Sequence, residues 1–484
     1  MKSYAGFLAY RLKMESADFC VSEISDLPLL SSNKDSTGDG QKPSTGASAS
    51  PGKRGAKRNQ RATDHYSVYS LQKDGWNTVD VLLKTAARFK IPIRDILYGG
   101  KKDRHARTQQ WITAPPSPDL THSTDAYSLE YVGTSSKPMG PENIAGNRFT
   151  LTVRNILERE TTQVEAGARR LKQLGFPNYF DDQRFGSFHP LVGFPFLCLF
   201  RGDPESALRY TLLSAFGGDK PHAKKRKKAI NDVWGQWDRC LKLAHTKTEE
   251  AILQQLKKQN CNSGDLSSES RKAFTRLLDR LPREELSMGF SALQSWIFNE
   301  SVSRLFRFIQ NPGREVQRPF SGKNFKAVEI KTKTGDQCFP FSIPESLGKV
   351  LNTMELQLLG PGRKEQSRVD SKRPSGEILA STLTENSSEA DLSLAIQEIY
   401  YSSENQVLNI LEIPEESFQR SYLERAFLKS YSRPIWCVPE EMTWSDFEKD
   451  ELNDGKLKYT VEFTLPRGTY ATMAMKALHL RLKQ

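Results

Sequence analysis

Strand-forming patterns lie near both ends of the chain, and a long helical stretch separates them. Near the N-terminus, runs rich in β-branched and aromatic residues occupy residues 18–24, 66–71, 108–113, 128–132 and 149–154. Near the C-terminus, Tyr459, Val461, Phe463 and Leu465 alternate with other residues, as in a half-buried strand. Beyond about Gly202 the patterns become mostly helical and charged. The sequence therefore predicts an α/β fold of the α+β type, with strand-forming segments at both ends of the chain.

Residues 31–64 separate the first two strand patterns and contain almost no apolar side chains. This segment is rich in Ser, Gly, Thr, Pro, Lys and Arg. Such a composition cannot bury enough surface to offset the entropy of ordering. The segment is predicted to be a disordered basic loop and not a domain boundary, because strand patterns flank it on both sides.

One acid, Asp103, stands among basic residues in the stretch YGGKKDRHARTQQWIT at residues 98–113. Its neighbours along the chain favour the ionised carboxylate and would attract a polyanion; they are Lys101, Lys102, Arg104, His105 and Arg107. Two glycines before it permit tight turns and the close approach of a ligand. The residues alone leave two interpretations, a reactive carboxylate on a loop that leads into a sheet, or a solvated turn.

Five motifs, in order along nearly the whole chain, resemble those of the TruD family of RNA pseudouridine synthases. They are D-F-x-V-x-E at residues 18–23, G-x-K-D-x-x-A-x-T-x-Q-W at residues 100–111, F-P-N-Y-F-D-D-Q-R-F-G at residues 176–186, S-x-x-Q-S-x-x-F-N at residues 291–299 and L-P-R-G-T-Y-A-T at residues 465–472. The second and third motifs are the most specific.

The resemblance implies a pseudouridine-synthase core with a mixed, largely antiparallel sheet, and an α/β TRUD domain inserted into it. The expected bounds are residues 1–200 for the N-terminal part of the catalytic domain, 201–435 for the inserted domain and 436–484 for the C-terminal part. It further implies an enzyme that isomerises uridine to pseudouridine in tRNA, with uridine 13 of the D-arm as the family target. Neither a cofactor nor a metal is expected.

The resemblance also assigns site residues. Asp103 is expected to be the catalytic residue, and Lys102, beside it in the same motif, is expected to bind substrate. The expected substrate-binding residues elsewhere are Lys13, Phe19, Asn178, Phe180, Arg184 and Tyr470. From the residue pattern alone, Phe19 would be interpreted as a core aromatic of a strand. The resemblance implies no need for acids at Asp181 and Asp182, which are therefore interpreted as surface or supporting groups and not metal ligands.

Two features of the chemistry stay open at the level of sequence. Asp103 either attacks as a nucleophile or stabilises an oxocarbenium-like sugar, with Lys13, Lys102 or Arg184 keeping it ionised. The group that removes the C5 proton is not identified. Extruding a stacked uridine costs a few kcal/mol, which aromatic contacts of roughly 1–3 kcal/mol per base would offset. We expect Phe19, Asn178, Phe180 and Tyr470 to converge on Asp103 in one cleft.

The charge balance favours a nucleic acid as the partner. The chain of 484 residues carries 70 Lys and Arg against 58 Asp and Glu, a net charge of +12. Such an excess attracts anions. No apolar run approaches the roughly 18 residues of a spanning helix, and the N-terminal apolar stretch is too short for a secretory signal, so a membrane partner is not expected.

The six cysteines show no C-x-x-C pair and no histidine at ligand spacing, so neither a zinc site nor a disulfide framework is predicted. A cytoplasmic monomer is expected. The run KKRKK at residues 224–228 is interpreted as a solvated helix face, an RNA contact or a nuclear address, the last of which would change the location. The alternative to an enzyme is a non-catalytic RNA-binding or RNA-chaperone protein on the same fold, and only turnover separates the two.

Overall fold

The structure is a computed structural model that describes residues 6–30, 65–189, 192–213, 220–265, 267–311, 325–363, 387–426 and 428–482. The predicted disordered loop at residues 31–64 lies outside the described residues. Two compact units divide the chain. The first consists mainly of Ala9–Thr161 and Glu440–Gly468. The second consists mainly of Thr162–Pro439 and Thr469–Gln484, together with residues before Ala9.

The strands are numbered along the chain. They are β1 (Phe19–Ser25), β2 (Tyr66–Asp74), β3 (Leu97–Tyr98), β4 (Arg107–Ala114), β5 (His122–Ser123), β6 (Tyr127–Ser135), β7 (Ile144–Ile156), β8 (Phe176–Pro177), β9 (Lys326–Thr332), β10 (Gly335–Ser342), β11 (Glu355–Gln357), β12 (Ser432–Pro434), β13 (Trp436–Cys437), β14 (Glu440–Trp444), β15 (Glu448–Lys449) and β16 (Leu457–Pro466).

The helices are numbered in the same way. They are α1 (Thr78–Phe89), α2 (Thr161–Leu174), α3 (Pro195–Phe200), α4 (Pro204–Leu213), α5 (Pro221–Asp232), α6 (Trp237–Leu243), α7 (Lys247–Lys258), α8 (Ser268–Leu278), α9 (Arg283–Gln310), α10 (Glu345–Thr353), α11 (Glu389–Ile410) and α12 (Ala471–Leu478).

A ten-stranded sheet forms the first unit, in the order β14-β16-β7-β1-β4-β2-β6-β5, with β15 paired to β16 and β3 paired to β4. The β1–β4 pair is parallel, and the other pairs are antiparallel. The C-terminal strand β16 pairs with β7, which places Phe463 opposite Phe149. The prediction of an α+β fold with a mixed, largely antiparallel sheet is therefore confirmed, and strands from both chain ends share that sheet.

Helix α1 packs on this sheet with a face that differs from the predicted one. The apolar spacing predicts a face of Val79, Leu82, Leu83 and Ala86, but Leu83 is exposed. The buried face instead includes Val81, Leu82 and Ala86 together with two threonines, Thr78 and Thr85. Periodicity missed it because buried hydroxyl residues do not count as apolar.

Helices make up most of the second unit. Helix α2 is followed by Gly175, which adopts a φ of +77° and donates its N–H to Leu171 O at 2.9 Å, as a glycine often does at the end of a helix. The 28-residue helix α9 packs against α11, and two-stranded pairs β9–β10, β11–β12 and β8–β13 complete the unit. The predicted domain bounds at residues 200 and 435 stay a prediction, and the compact units group residues 162–200 and 469–484 with the helical part.

None of the described helices is long and apolar enough to cross a membrane. Within the described ranges, no group of three or more His, Cys, Asp or Glu side chains could hold a metal ion. All six cysteines are described, and none forms a disulfide.

Candidate active site

The sheet topology brings several chain segments to the same edge as Asp103. Strands β1 and β4 run parallel, with Cys20 opposite Arg107, so Phe19 lies beside the end of the Asp103 loop. Strand β2 runs antiparallel to β4 and ends at Asp74, opposite Arg107. Helix α1 starts four residues after that strand, at Thr78. The loop at residues 99–106 is therefore surrounded by the start of β1, the end of β2 and the start of α1.

Close packing and hydrogen bonds fix the backbone of this loop. A Cβ at Gly99 would lie 2.5 Å from Ile144 Cδ1 and 3.0 Å from Gly140 O, so a larger residue there would force the Ile144 side chain to move. Thr78 Oγ1 accepts the Lys102 N–H at 3.1 Å and donates to Gln110 Oε1 at 2.8 Å, while Gln110 Nε2 donates to Gly100 O at 3.1 Å. The threonine face of α1 thus holds the loop.

Lys73 holds the peptide group of Asp103 itself. This side chain is 2% exposed, and its Nζ donates to Asp103 O at 2.7 Å. Burial lowers the pKa of Lys73 to about 8, although Asp103 and Asp74 counteract that effect. The sequence reasoning missed Lys73; the signal that could have found it is a lysine that follows Tyr69 and Leu71, both buried, at alternate positions of β2.

The Asp103 carboxylate is bound on both oxygens and stays partly open to solvent. Lys13 Nζ forms an ion pair with Oδ2, and the His105 N–H donates to Oδ1 at 3.1 Å. The side chain is 32% exposed. Burial would raise the pKa of Asp103, but the hydrogen bond and charge of Lys13, with the His105 N–H, outweigh it and hold the pKa below its usual range. The carboxylate is therefore ionised at neutral pH.

Lys13 joins Asp103 to Phe19. Its Nζ lies 4.1 Å from the centre of the Phe19 ring, an ammonium–aromatic contact. Phe19 is buried and packs edge-on against Phe149, with ring centres 6.2 Å apart. The backbone of Lys13 has a φ of +59°, which is unusual for a residue with a side chain. Phe19 is thus both a core aromatic and a neighbour of the Asp103–Lys13 pair.

Two of the basic neighbours of Asp103 in the sequence, Lys102 and Arg107, have acidic partners of their own. Lys102 Nζ lies 2.6 Å from Glu23 Oε2 and donates to Asn147 Oδ1 at 2.7 Å. Arg107 pairs with Asp74 at 3.1 Å. The ion-pair partner of Asp103 therefore comes from Lys13, 90 residues away in the chain, and not from the adjacent cluster. We call Lys13, Lys73, Lys102 and Asp103 the carboxylate cluster.

In the second unit, the side chain of Asn178 is fully engaged with the chain around Arg433. Asn178 is 1% exposed, and its Nδ2 donates to Pro434 O at 3.0 Å. Arg433 Nη2 donates to Asn178 Oδ1 at 2.9 Å and to Asn178 O at 2.8 Å. In this arrangement the Asn178 amide, expected to bind substrate, fixes the loop after β8 to β12.

Phe180 lies between Arg433 and two other rings. It is 3% exposed, and the Arg433 guanidinium carbon lies 3.7 Å from its ring centre. Phe298 and Tyr470 contact it at centre-to-centre distances of 5.7 and 6.3 Å. Tyr470 precedes α12 and is half-buried. We call Asn178, Phe180, Arg433 and Tyr470 the aromatic cluster.

Burial sets the charge properties of the aromatic cluster. It lowers the pKa of Arg433 to about 10, against the opposing effect of Tyr470 and Tyr431. It raises the pKa of the Tyr470 hydroxyl, although Arg184 and Arg433 act in the opposite direction. Arg433 therefore stays cationic and Tyr470 neutral at physiological pH.

Helix α9 supports this cluster through the motif S-x-x-Q-S-x-x-F-N. Asn299 Oδ1 accepts the Phe180 N–H at 2.8 Å and its Nδ2 donates to Phe180 O at 2.9 Å. Ser295 Oγ accepts from Arg184 Nε at 3.4 Å, and the Arg184 guanidinium lies 5.8 Å from the Phe180 ring. The partners Asn299 and Arg433 were not predicted as site residues, because both act over long sequence separations.

Asp181 and Asp182 neutralise a buried ammonium. Lys476 Nζ lies 3.7 Å from Asp181 Oδ1 and 3.3 Å from Asp182 Oδ2, and Lys476 and Asp181 are both buried. Both acids therefore support Lys476. Asp182 is partly exposed, whereas Asp181 is buried, so the interpretation as a surface residue is wrong for Asp181. Tyr179 and Phe185 are core residues, as expected.

Comparison with known proteins gives one family. Its sequence profile, tRNA pseudouridine synthase D (TruD), matches residues 5–323. A tRNA pseudouridine synthase D from Leptospira interrogans is 31% identical over 482 residues, 99% of this chain and 98% of that protein. "Probable tRNA pseudouridine synthase D 1" from Methanococcus maripaludis is 28% identical over 415 residues, 85% of this chain and 92% of that protein.

A crystal structure assigned to tRNA pseudouridine synthase D from Methanosarcina mazei superimposes with a TM-score of 0.60. The superposition covers 98% of this chain and 94% of that one, at 20% sequence identity. At this level of identity the likeness concerns the fold, and it extends over both chain ends and the helical part between them.

Proposed function

The chain belongs to the TruD family of tRNA pseudouridine synthases, and from that premise we propose that it converts uridine 13 of a tRNA D-arm to pseudouridine, with Asp103 as the nucleophile. Family membership identifies the chain as a tRNA pseudouridine synthase. The target position, the role of Asp103 and the extrusion of the base are proposed here in addition. Because the reaction is an isomerisation without redox change, we propose that it needs no cofactor or metal.

A single observation carries the role of Asp103. Its carboxylate is ionised, partly exposed and held by Lys13 and the His105 N–H, and its peptide group is anchored by Lys73. A carboxylate that is fixed, charged and accessible at the same time meets the needs of nucleophilic catalysis. These contacts leave little freedom for reorientation, so the group is positioned before substrate arrives.

The proposed reaction exchanges one glycosidic bond for another. The bond between N1 of uracil and C1′ of ribose breaks and a bond from C5 to C1′ forms. The C5 proton is transferred to a base, N1 takes up a proton, and the bond that Asp103 forms breaks again before the product leaves. Attack by Asp103 at either the sugar or the uracil requires its ionised form, which the lowered pKa ensures at neutral pH. Lys13, which contacts the carboxylate, is proposed to keep it charged and oriented.

Among the other predicted residues, Tyr470 is proposed to contact the target base, and Phe180, Asn178, Lys102 and Phe19 are proposed to support it or the Asp103 loop. Tyr470 is half-buried, so it is the member of the aromatic cluster that offers ring surface to an extruded base. Phe180 and Asn178 are almost fully buried and support that ring and the neighbouring loop. Lys102 is proposed to hold the Asp103 loop through Glu23, and Phe19 to hold Lys13.

The enzyme is proposed to act as a monomer in the cytoplasm. The basic run at residues 224–228 lies on α5, where Arg226 pairs with Glu249 at 2.7 Å. Its function as an RNA contact or a nuclear address stays a prediction.

The test is pseudouridine mapping on tRNA transcripts with the wild type, Asp103→Asn and the matched control Asp125→Asn, an exposed carboxylate of the same unit. We expect Asp103→Asn to lower the rate by at least about 10³-fold, as for other enzymes that lose a nucleophile. The control should retain the wild-type rate. A transcript with cytidine at position 13 should yield no product.

Three results would contradict the proposal in separate ways. No product with the wild type would favour the non-catalytic RNA-binding protein. Equal rates for wild type and Asp103→Asn would remove Asp103 from the reaction. Product at a position other than 13 would change the target while leaving the chemistry intact.

A further inference from the structure

A solvent-open cavity of about 280 Å³ lies beside the first turns of α9, within the second unit. Three cations, two serines and one tyrosine carry its polar lining; they are Arg184, Arg283, Lys429, Ser287, Ser291 and Tyr431. The volume is near the lower end of ligand clefts, which span roughly 300–1,000 Å³. Such a cavity suits a single nucleotide unit and not a folded partner.

The cations of this cavity lack the acidic partners that other arginines of α9 have. Arg304 pairs with Glu300 at 2.9 Å, and Arg307 pairs with Glu329 at 2.8 Å. Among the described residues, no carboxylate lines the cavity, and Arg283 and Lys429 form no ion pair. Cations whose charge is not neutralised attract phosphate strongly, since a phosphodiester supplies the missing acceptor oxygens.

Internal hydrogen bonds fix the backbone that carries Lys429 and contact the side chain of Arg184. Gln294, which is buried, donates from Nε2 to Lys429 O at 2.9 Å and also to Leu359 O, so it fixes the backbone that carries Lys429. Arg184 Nε donates to Ser295 Oγ at 3.4 Å, which leaves its terminal nitrogens for a ligand. A site that is already formed loses less conformational entropy when the ligand binds.

The cavity also has an aromatic rim and is continuous with the aromatic cluster. Tyr431 lines the cavity and its side chain is 43% exposed, and an aromatic ring in such a position can stack on a base. Arg184 lines the cavity and lies 5.8 Å from the Phe180 ring. A nucleotide here would be a close neighbour of a base held at Tyr470.

We propose that this cavity binds one nucleotide of the substrate RNA that flanks the target uridine, with its phosphodiester between Arg184, Arg283 and Lys429 and its base on Tyr431. This inference rests on RNA being the substrate, as in the proposed function. It adds a second contact point for the strand, which would stabilise the conformation with one base extruded.

The experiment measures the equilibrium binding of a tRNA transcript over a series of salt concentrations, in the Asp103→Asn background so that no turnover is needed. The test variant is Arg283→Gln/Lys429→Gln, in which both altered side chains are exposed. The matched control is Lys247→Gln/Lys258→Gln on α7, where both side chains are exposed and the charge change is the same. A third variant, Arg283→Lys/Lys429→Arg, keeps the charge.

We expect the test variant to bind tRNA roughly tenfold more weakly and to reduce the magnitude of the slope of log K against log salt by about 0.7–0.9, since the variant loses its contact with the one phosphodiester in the cavity. The control and the charge-retaining variant should keep the wild-type slope. With Asp103 restored, the test variant should show a raised KM and a kcat within about threefold of the wild type.

Two outcomes would overturn the inference. One is a test variant whose affinity and salt slope equal those of the control. The other is a test variant that loses binding of uridine monophosphate while its tRNA binding is unchanged, which would assign the cavity to a free nucleotide. Because binding is measured without turnover, absence of pseudouridine in the activity assay would refute the proposed function and leave this test intact.

Discussion

The carboxylate cluster of the first unit and the aromatic cluster of the second are equally recognisable in sequence, yet they are constructed in opposite ways. In the carboxylate cluster, the ion pair between Asp103 and Lys13 stays in reach of solvent. In the aromatic cluster, Arg433 is buried, and its guanidinium contacts the oxygens of Asn178 and the face of Phe180. The first arrangement leaves a charged oxygen available, and the second uses its polar atoms internally.

A sequence motif can therefore indicate either residues that react with substrate or residues that hold the reactive residues in position. An accessible anion whose pKa is lowered can attack a substrate. A buried amide and guanidinium bonded to each other mainly determine the geometry of a loop. We therefore expect substitutions in the carboxylate cluster to affect turnover more than stability, and substitutions in the core of the aromatic cluster to do the reverse.

The largest effect that tests this contrast is the stability loss in Arg433→Met. Removing the guanidinium leaves buried acceptors of Asn178 unpaired and opens the face of Phe180, which should cost about 3 kcal/mol in the free energy of unfolding. Urea unfolding provides the measurement. The matched control is Arg184→Met, since Arg184 is half-buried and makes one long hydrogen bond at 3.4 Å.

Asp103→Asn completes that comparison and should change the free energy of unfolding by less than about 1 kcal/mol, as expected for a partly exposed pair. If Arg433→Met and Arg184→Met were equally stable, the framework role of Arg433 would be wrong. A loss of about 3 kcal/mol in Asp103→Asn would contradict the other side of the contrast.

The sequence predicts the elements of both clusters better than their contacts. Strand β1 and the alternation of β16 follow directly from residue patterns, because local periodicity determines them. The fold and the order of the motifs were also recognisable, since these motifs are continuous stretches.

Contacts between distant segments were not predictable in the same way. Lys13 reaches Asp103 across 90 residues, and Arg433 reaches Asn178 across 255. The hydrogen bond from Lys73 to Asp103 O depends on the pairing of β2 with β4, which the sequence does not specify. The inner face of α1 was missed for a related reason, since Thr78 is buried to bind a loop and not to fill a core.

A second way to sharpen the comparison is Lys13→Met, which keeps an apolar chain against Phe19 and removes the charge beside Asp103. Opposite charges about 4 Å apart interact by about 4 kcal/mol at an effective dielectric of 20. Because Lys13 also orients the carboxylate, we expect turnover to fall on the order of 10²-fold at neutral pH, which corresponds to about 2.7 kcal/mol. The control is Lys137→Met, an exposed lysine of the same unit.

The pH profile gives the sign of this effect. The folded pKa of Asp103 is lowered, so its ion pair contributes stability above the unfolded pKa and loses it as the pH falls through the folded value. Without Lys13, burial would dominate and raise the pKa of Asp103. The acid limb of the pH–rate profile should therefore move to higher pH in Lys13→Met, and an unmoved limb would show that Lys13 does not set this ionisation.

The smallest expected effect concerns Tyr470→Phe, which separates the ring from its hydroxyl. Burial raises the pKa of this hydroxyl, so it is neutral in the assay range and supplies no charge. If the ring face is what a base contacts, Tyr470→Phe should change kcat/KM by less than about threefold. Tyr470→Ala should lower it about tenfold, within the range of roughly 1–3 kcal/mol for one stacked base. If Tyr470→Phe lowered kcat/KM as much as Tyr470→Ala, the hydroxyl and not the ring would be the functional group. Tyr470 would then act through a polar atom, as Asp103 does in the carboxylate cluster.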